Sequence, residues 1–242
     1  MFRIAHFVIL ICSLSGFQTM YAQNSKSRTN AWFRGTLNIR LNEKYSVDAE
    51  FQHRRQNGFD NCNMLDKTLM FSGRSWLHYQ PKQGVKYSLS PFAYFSNSRL
   101  IRVPGDDTLR PVSEFRFSAA LDIQKPLLRK TVFLNRTALE YRVFSGSQNP
   151  VMRLRNRSGL RCDFSNRLKL GMFDELLLNI SGTDLSHFFD QNRIGFSIEY
   201  EVIHGFQVEA GYLHLIRLPA NDMYTIPENN FFLNLSYHLR SK

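Results

Sequence analysis

The sequence predicts an all-β protein, a single antiparallel transmembrane β-barrel of ten to twelve strands. Three observations carry that prediction. The chain opens with an export signal, its body alternates strictly between apolar and polar residues, and its connections alternate between short and long.

Residues 1–23 read as the signal. Arg3 and His6 give a weakly positive start, Phe7 to Leu14 is an apolar run broken only by Ser13, and Met20-Tyr21-Ala22 offers a small residue for cleavage. Cys12 follows the bulky Ile11 inside that run, which argues against lipid modification. The predicted mature chain, 24–242, forms one domain. It contains no stretch near the ~18 apolar residues of a membrane helix. A mean hydropathy of -0.32 suits a barrel whose strands put every second side chain into lipid.

Alternation is clearest at 44–54, where Tyr45, Val47, Ala49 and Phe51 oppose Asp48, Glu50, Gln52 and Arg54. It recurs at 112–124, at 191–202 and from Phe231 to Leu239. Weaker versions cover 31–41, 67–79, 86–97, 131–144, 153–164, 168–180 and 206–215. The tally is about eleven strands, each as long as the ~9 to 11 residues of a crossing. Single-chain bacterial barrels use even numbers, so twelve is the preferred count. Either residues 24–31 add part of a strand, or one segment has been merged or split. Pro91 falls inside 86–97, where it deletes a ladder bond and marks a bulge or a late strand start.

Short connections fall near 42–43, 80–85, 125–130, 165–167 and 204–205, and longer ones near 55–66, 98–111, 145–152, 181–190 and 216–229. The short ones are expected to be periplasmic turns and the long ones external loops. Tyr45, Tyr79, Tyr87, Tyr200, Phe206 and Tyr237 lie on apolar faces beside short turns or the C-terminus. Phe51, Phe95, Phe115, Tyr141, Tyr212 and Phe231 lie on apolar faces near long loops. These are read as two interfacial girdles. The same geometry puts Cys62 and Cys162 at opposite ends, unpaired.

The polar face carries charges of both signs. Asp48, Glu50, Arg74, Glu114, Arg116, Arg136, Glu140, Arg142, Glu175, Arg193 and Glu199 all project to it. About eight strands leave an interior that side chains or one small ligand can fill, whereas in a wider barrel an apolar, dry filling is hard to build. The charged face is therefore read as a wet lumen; a soluble ligand-binding barrel and a β-sandwich are the lesser alternatives. One strand presents Arg153, Arg155, Arg157 and Arg161 together. Pairing with Glu140 before it and Glu175 after it is the preferred account, and an anion-selecting stripe is the other. Arg3 supplies one unit of the formal net charge of +11. An exported basic chain meets membrane lipid, lipopolysaccharide or small anionic solutes rather than nucleic acid.

Several phrases carry a family resemblance. Asp174-Glu175-Leu176, Phe189-Asp190-Gln191-Asn192-Arg193-Ile194-Gly195 and Ala210-Gly211-Tyr212 follow Glu114-Phe115-Arg116 and Arg153-Leu154-Arg155-Asn156-Arg157. In this order they resemble the family called domain of unknown function 2490, exported proteins frequent in Bacteroidota. The resemblance covers nearly the whole mature chain and implies a barrel in the bacterial outer membrane, without an activity.

Catalytic chemistry has little purchase here. An enzyme on envelope lipids is the alternative, and it needs a nucleophile within reach of a base. His53 and His214 lie on apolar faces near the loop ends. Ser75 shares a face with His53 on the next strand, but the residue opposite His53 lies near 68. Ser186-His187 sits in a loop. No metal spacing and no phosphate loop occurs, and Asp60 and Asp106-Asp107 read as solvated loop acids, so no metal or cofactor is expected. The sequence thus points to a non-enzymatic outer-membrane barrel, structural or a narrow pore.

Overall fold

The computed structural model describes residues 28–147, 149–219 and 223–240. The export signal read at 1–23, and any strand begun at 24–27, lie outside these residues. Twelve strands follow one another: β1 (Arg28–Arg40), β2 (Tyr45–Gln56), β3 (Lys67–Lys82), β4 (Val85–Ser90), β5 (Ala93–Asn97), β6 (Val112–Leu128), β7 (Thr131–Phe144), β8 (Val151–Asp163), β9 (Leu168–Ser181), β10 (Phe189–Ile203), β11 (Phe206–Arg217) and β12 (Ile226–Arg240). Each pairs with its neighbours in a single closed sheet. Among the described residues there is no α-helix.

β4 and β5 share one slot between β3 and β6. The wall therefore has eleven crossings, as the alternation counted, and not the twelve that the even-number rule favours. The odd number has a topological cause. The short turns gather at one end of the barrel and the long loops at the other, yet β1 begins at the loop end and β12 finishes at the turn end. The two strands run parallel, in register from Arg28↔Glu228 to Arg40↔Arg240. All other neighbours are antiparallel.

Pro91 sits at the β4–β5 junction and shifts the pleat by one residue. Before it, Tyr87 and Leu89 face outward while Ser88 and Ser90 are buried; after it, Phe92 and Tyr94 face outward while Ala93 and Phe95 are buried. An added residue flips every later side chain to the opposite face. Phe95 consequently leaves the predicted outer girdle and points into the lumen. The remaining girdle aromatics stand outside. Tyr45 stacks on Tyr79 at 5.0 Å and Tyr79 on Tyr87 at 6.4 Å at the turn end; at the loop end Tyr212 lies between Phe196 and Phe231 at 5.9 and 5.6 Å.

The outer wall is apolar. Leu77, Phe117, Met172, Ile198 and Phe231 are among more than forty large apolar side chains left exposed. A water-soluble monomer rarely exposes a continuous apolar surface of this extent. The polar faces turn inward, so the barrel is inside out relative to a soluble one. Gly84 and Gly205 close two tight turns at φ 82°, a conformation that costs other residues ~1–2 kcal/mol. Cys62 lies in the 57–66 loop and Cys162 near the opposite end of β8; both are free thiols.

The parallel seam is stapled from within. Asn30 Nδ2 donates to Glu228 Oε2 at 2.8 Å and to Asn230 Oδ1 at 3.0 Å, and all three residues are fully buried. Trp32, Leu213, Leu215 and Phe232 pack beside them. Truncating Asn30 leaves a buried carboxylate and amide short of a donor, at a cost of ~1–3 kcal/mol. Asn30→Ala is therefore expected to lower the urea midpoint of the detergent-folded barrel while leaving its heat-modifiable gel shift intact. An unchanged midpoint would show that the backbone ladder alone closes the seam.

Candidate functional site

The loop-end half of the lumen is filled by ion pairs. Glu114 accepts from Arg116 at 2.7 Å and from Arg142 at 2.6 Å. Glu140 accepts from Arg153 at 2.5 Å, with Arg116 and Arg155 at 3.5 and 3.6 Å. Glu175 joins Arg155 at 2.6 Å to Arg193 at 3.0 Å. Asp190 completes the chain at 2.6 Å from Arg153. The result is a continuous network on β6 through β10. Glu114, Glu140 and Glu175 are at most 2% exposed, and Arg116, Arg153, Asp190 and Arg193 at most 8%.

Alternation alone could not place Asp190. A register shift between Phe189 and Gln191 lets Asp190 and Gln191 both turn inward, so a strict period of two passes over it.

The remaining predicted residues lie above or below the network. Glu50 is 3.7 Å from Arg34, Arg161 pairs with Asp163 at 2.9 Å, and Lys169 holds Glu199 at 2.5 Å. Arg136 makes two bonds to Asp122, at 2.7 and 2.9 Å. Three lumen arginines have no carboxylate within 4.0 Å among the described residues, and each is stacked on an aromatic ring instead. Arg54 lies 3.6 Å from the Trp32 centroid, Arg157 lies 3.6 Å from that of Phe173, and Arg74 sits between Trp76 and Phe95 at 5.2 and 5.1 Å. Guanidinium stacking of this kind contributes ~0.5–2 kcal/mol and leaves the edge donors free.

Toward the turn end, Asp48, His78 and Ser88 form a line that the spacing of these residues in the sequence does not reveal. His78 Nδ1 is 2.8 Å from Ser88 Oγ, and His78 Nε2 is 3.0 Å from Asp48 Oδ2. The order is that of a hydrolytic triad, but the setting is not. The Nε2 contact is not aligned as a hydrogen bond, Ser88 is 4% exposed, and its backbone lies within the strand ladder, where no amide pair is free to hold an oxyanion. Ser88 Oγ lies 3.4 Å from Asp122, which extends the line to Arg136. It is a structural relay between β2, β3, β4, β6 and β7.

The other histidines assemble no such set. His53 stacks on Phe71 at 4.1 Å and stands opposite that residue rather than one near 68. His214 Nδ1 is 3.2 Å from Asn229, and His187 meets its neighbour Ser186 at 3.1 Å in an exposed loop. Among the described residues, no group of three His, Cys, Asp or Glu side chains is placed to hold a metal.

The 98–111 loop roofs part of the loop end. Gln56 donates to the Arg99 carbonyl and accepts from the Ile101 amide, and Leu100 packs on Leu69 and Ile226. Asp106 is the loop's hinge pin. Its Oδ2 accepts from the amides of Arg102 and Val103 at 2.8 and 3.0 Å, and Arg99 lies 3.3 Å from Oδ1. Burial pushes its carboxyl up, but the two amides and the neighbouring arginines together hold it below the usual carboxylate range.

Glu140→Gln removes the charge shared by Arg153, Arg116 and Arg155. Breaking a buried pair costs about 3–5 kcal/mol, so urea unfolding should begin at markedly lower concentration; a shift below 1 kcal/mol would show that water replaces the carboxylate easily. Because the Asp106 carboxyl is lowered on folding, its contribution is full above the unfolded value of about 4 and fades as pH falls through the folded one. Amide exchange in 98–111, corrected for intrinsic rates, should stay protected to about pH 4 and lose protection below it. Asp106→Asn should lose protection at neutral pH, and equal protection in that variant would contradict the role given to the carboxylate.

A solved structure of the NanC porin, in a rhombohedral crystal form, has the same architecture. It superposes with a TM-score of 0.55 at 9% sequence identity, covering 87% of this chain and 98% of that one. Likeness at this identity concerns the fold alone. No curated protein matches the sequence. Residues 29–225 match the family described as protein of unknown function (DUF2490). A porin-like barrel with a charge-filled lumen is thus the architecture of this chain, which belongs to the DUF2490 family.

Proposed function

We propose that the protein is an outer-membrane barrel with a structural, non-enzymatic role, closed in its loop-end half by its own side chains. The single observation behind closure is the burial of Glu114, Glu140, Glu175 and Arg153, each at most 3% exposed on the inward face of the barrel. In an open channel these groups would be bathed in water. The apolar wall and its two aromatic girdles support insertion in a bilayer, with the short turns on the periplasmic side and the long loops outside. Lipid and lipopolysaccharide are then its immediate surroundings.

A second reading is a narrow, anion-preferring pore. It is favoured by Arg54, Arg74 and Arg157, lumen cations with no carboxylate partner among the described residues. Such a pore needs the ion-pair layer or the 98–111 loop to yield.

The protein is expected to fractionate with outer membranes and to show heat-modifiable mobility; recovery in the soluble periplasm would refute membrane insertion. Refolded into a planar bilayer, it should give no steady conductance. A steady anion-selective current would overturn closure and establish the pore reading.

A further inference from the structure

Beneath the ion-pair layer the lumen opens toward the turn end. A recess of about 260 Å³ lies there, lined by Asp122, Arg136, Lys169, Glu199 and others. A smaller one of about 60 Å³ lies deeper, against Arg34, Arg155 and Arg193. Arg157, Phe173 and Glu209 line both.

The recess is made by missing side chains. Gly159 on β8 and Gly171 on β9 line it, and Phe173 fills the space beside Gly159 and Gly195. A Cβ on Gly195 would come within 2.7 Å of the Phe173 ring. The ring is thereby pinned as a platform, with the Arg157 guanidinium flat upon it. Arg157 has no side-chain hydrogen bond and no ion pair among the described residues, and the residue is only partly buried. Its neighbours differ. Arg136 is committed to Asp122, Lys169 to Glu199, and Arg155 and Arg193 to Glu175. Across both recesses, basic side chains outnumber acidic ones seven to four.

The approach is basic as well. Lys44, Lys82, Lys125, Arg129, Lys130 and Arg167 are exposed around the turn end, against the acids Glu43 and Asp163. Clefts lined by one sign of charge concentrate the opposite ion.

We infer that Arg157 anchors a binding site for a small oxyanion, a carboxylate or a phosphate, that enters from the turn end. The guanidinium edge offers paired donors matched to two oxygens of such a group. Ser197 lines the same recess and supplies a hydroxyl. The volume admits a solute of a few heavy atoms to a small sugar acid, being below the ~300 Å³ at which drug-sized sites begin. Glu209 accepts from Asn234 at 2.7 Å and opposes the bound anion.

The test is calorimetric titration of the full mature chain, refolded in detergent, with inorganic phosphate and separately with gluconate. At least one anion should bind at one site per barrel. Arg157→Gln should weaken binding about ten-fold or more, as loss of a charge-assisted bidentate contact does. Glu209→Gln, which removes the opposing charge, should tighten it, and Arg110→Gln, a loop-end change, should leave it unaltered. Gly171→Val, which fills the recess, should exclude gluconate more strongly than phosphate. Failure of both anions to bind, or wild-type binding by Arg157→Gln, overturns the site. If Arg157→Gln does not fold, Glu209→Gln decides, and unchanged or weaker binding in that variant refutes the proposal. Conductance is read separately, so a barrel that conducts yet binds anions through Arg157 keeps the site and loses the closure.

Discussion

Glu140 receives Arg153 and lies within reach of Arg116 and Arg155, so one carboxylate ties β7 to β6 and β8. The rest of the lumen depends on arrangements of this kind. A wall that is apolar on its outside must, by the period of two, be polar within. Eleven strands enclose too much space for small side chains, and long charged ones fill it. Charges taken out of water are tolerated only when paired and hydrogen-bonded. Glu114, Glu175 and Asp190 meet that requirement with the same arginines, which turns a set of pairs into a layer. The layer ties five adjacent strands together from within, and it is the basis for the closed lumen proposed above.

Arginine resolves its own surplus in two ways. Where a carboxylate is near, the guanidinium edge binds it. Where none is, the flat face lies on an aromatic ring, as Arg54 does on Trp32 and Arg157 on Phe173. Stacking satisfies the face but leaves the donors. At Arg54 these donors meet Gln52 and the crowded seam. At Arg157 they meet the recess left by Gly159 and Gly171. Two chemically similar contacts therefore have different consequences, set by whether the adjoining strands carry side chains or glycines.

The fold was readable in the sequence because the alternation of 44–54 or 112–124 is a direct record of which side of the wall each residue faces. That record failed where the pleat is interrupted. Pro91 was recognised as an irregularity, but the one-residue slip it causes, which carries Phe95 inward, depends on how β4 and β5 pair with β3 and β6. Asp190 was hidden by a second slip. The Asp48–His78–Ser88 line was missed for another reason. Its members come from three strands, and only the register, Asp48↔Trp76 and His78↔Ser88, brings them together. The partners of each arginine in the 153–161 stripe were limited in the same way, since neighbouring strands narrowed the candidates without fixing them.

Strand parity shows most plainly how a general rule yields to a local solution. Even numbers let a barrel close with antiparallel pairs throughout; an odd number forces one parallel pair, which is slightly weaker per residue. Here β1 and β12 pay that difference back through side chains. Asn30 reaches across the seam to Glu228 and Asn230, Arg217 approaches Glu228 from β11 at 2.9 Å, and Trp32 packs with Phe232 and Leu213. The asparagines sit at matched heights on parallel strands, Asn30↔Asn230, an alignment that brings the same amide together from both sides. With the seam fastened from inside, no strand edge remains unpaired, and the parity of the count ceases to matter for closure.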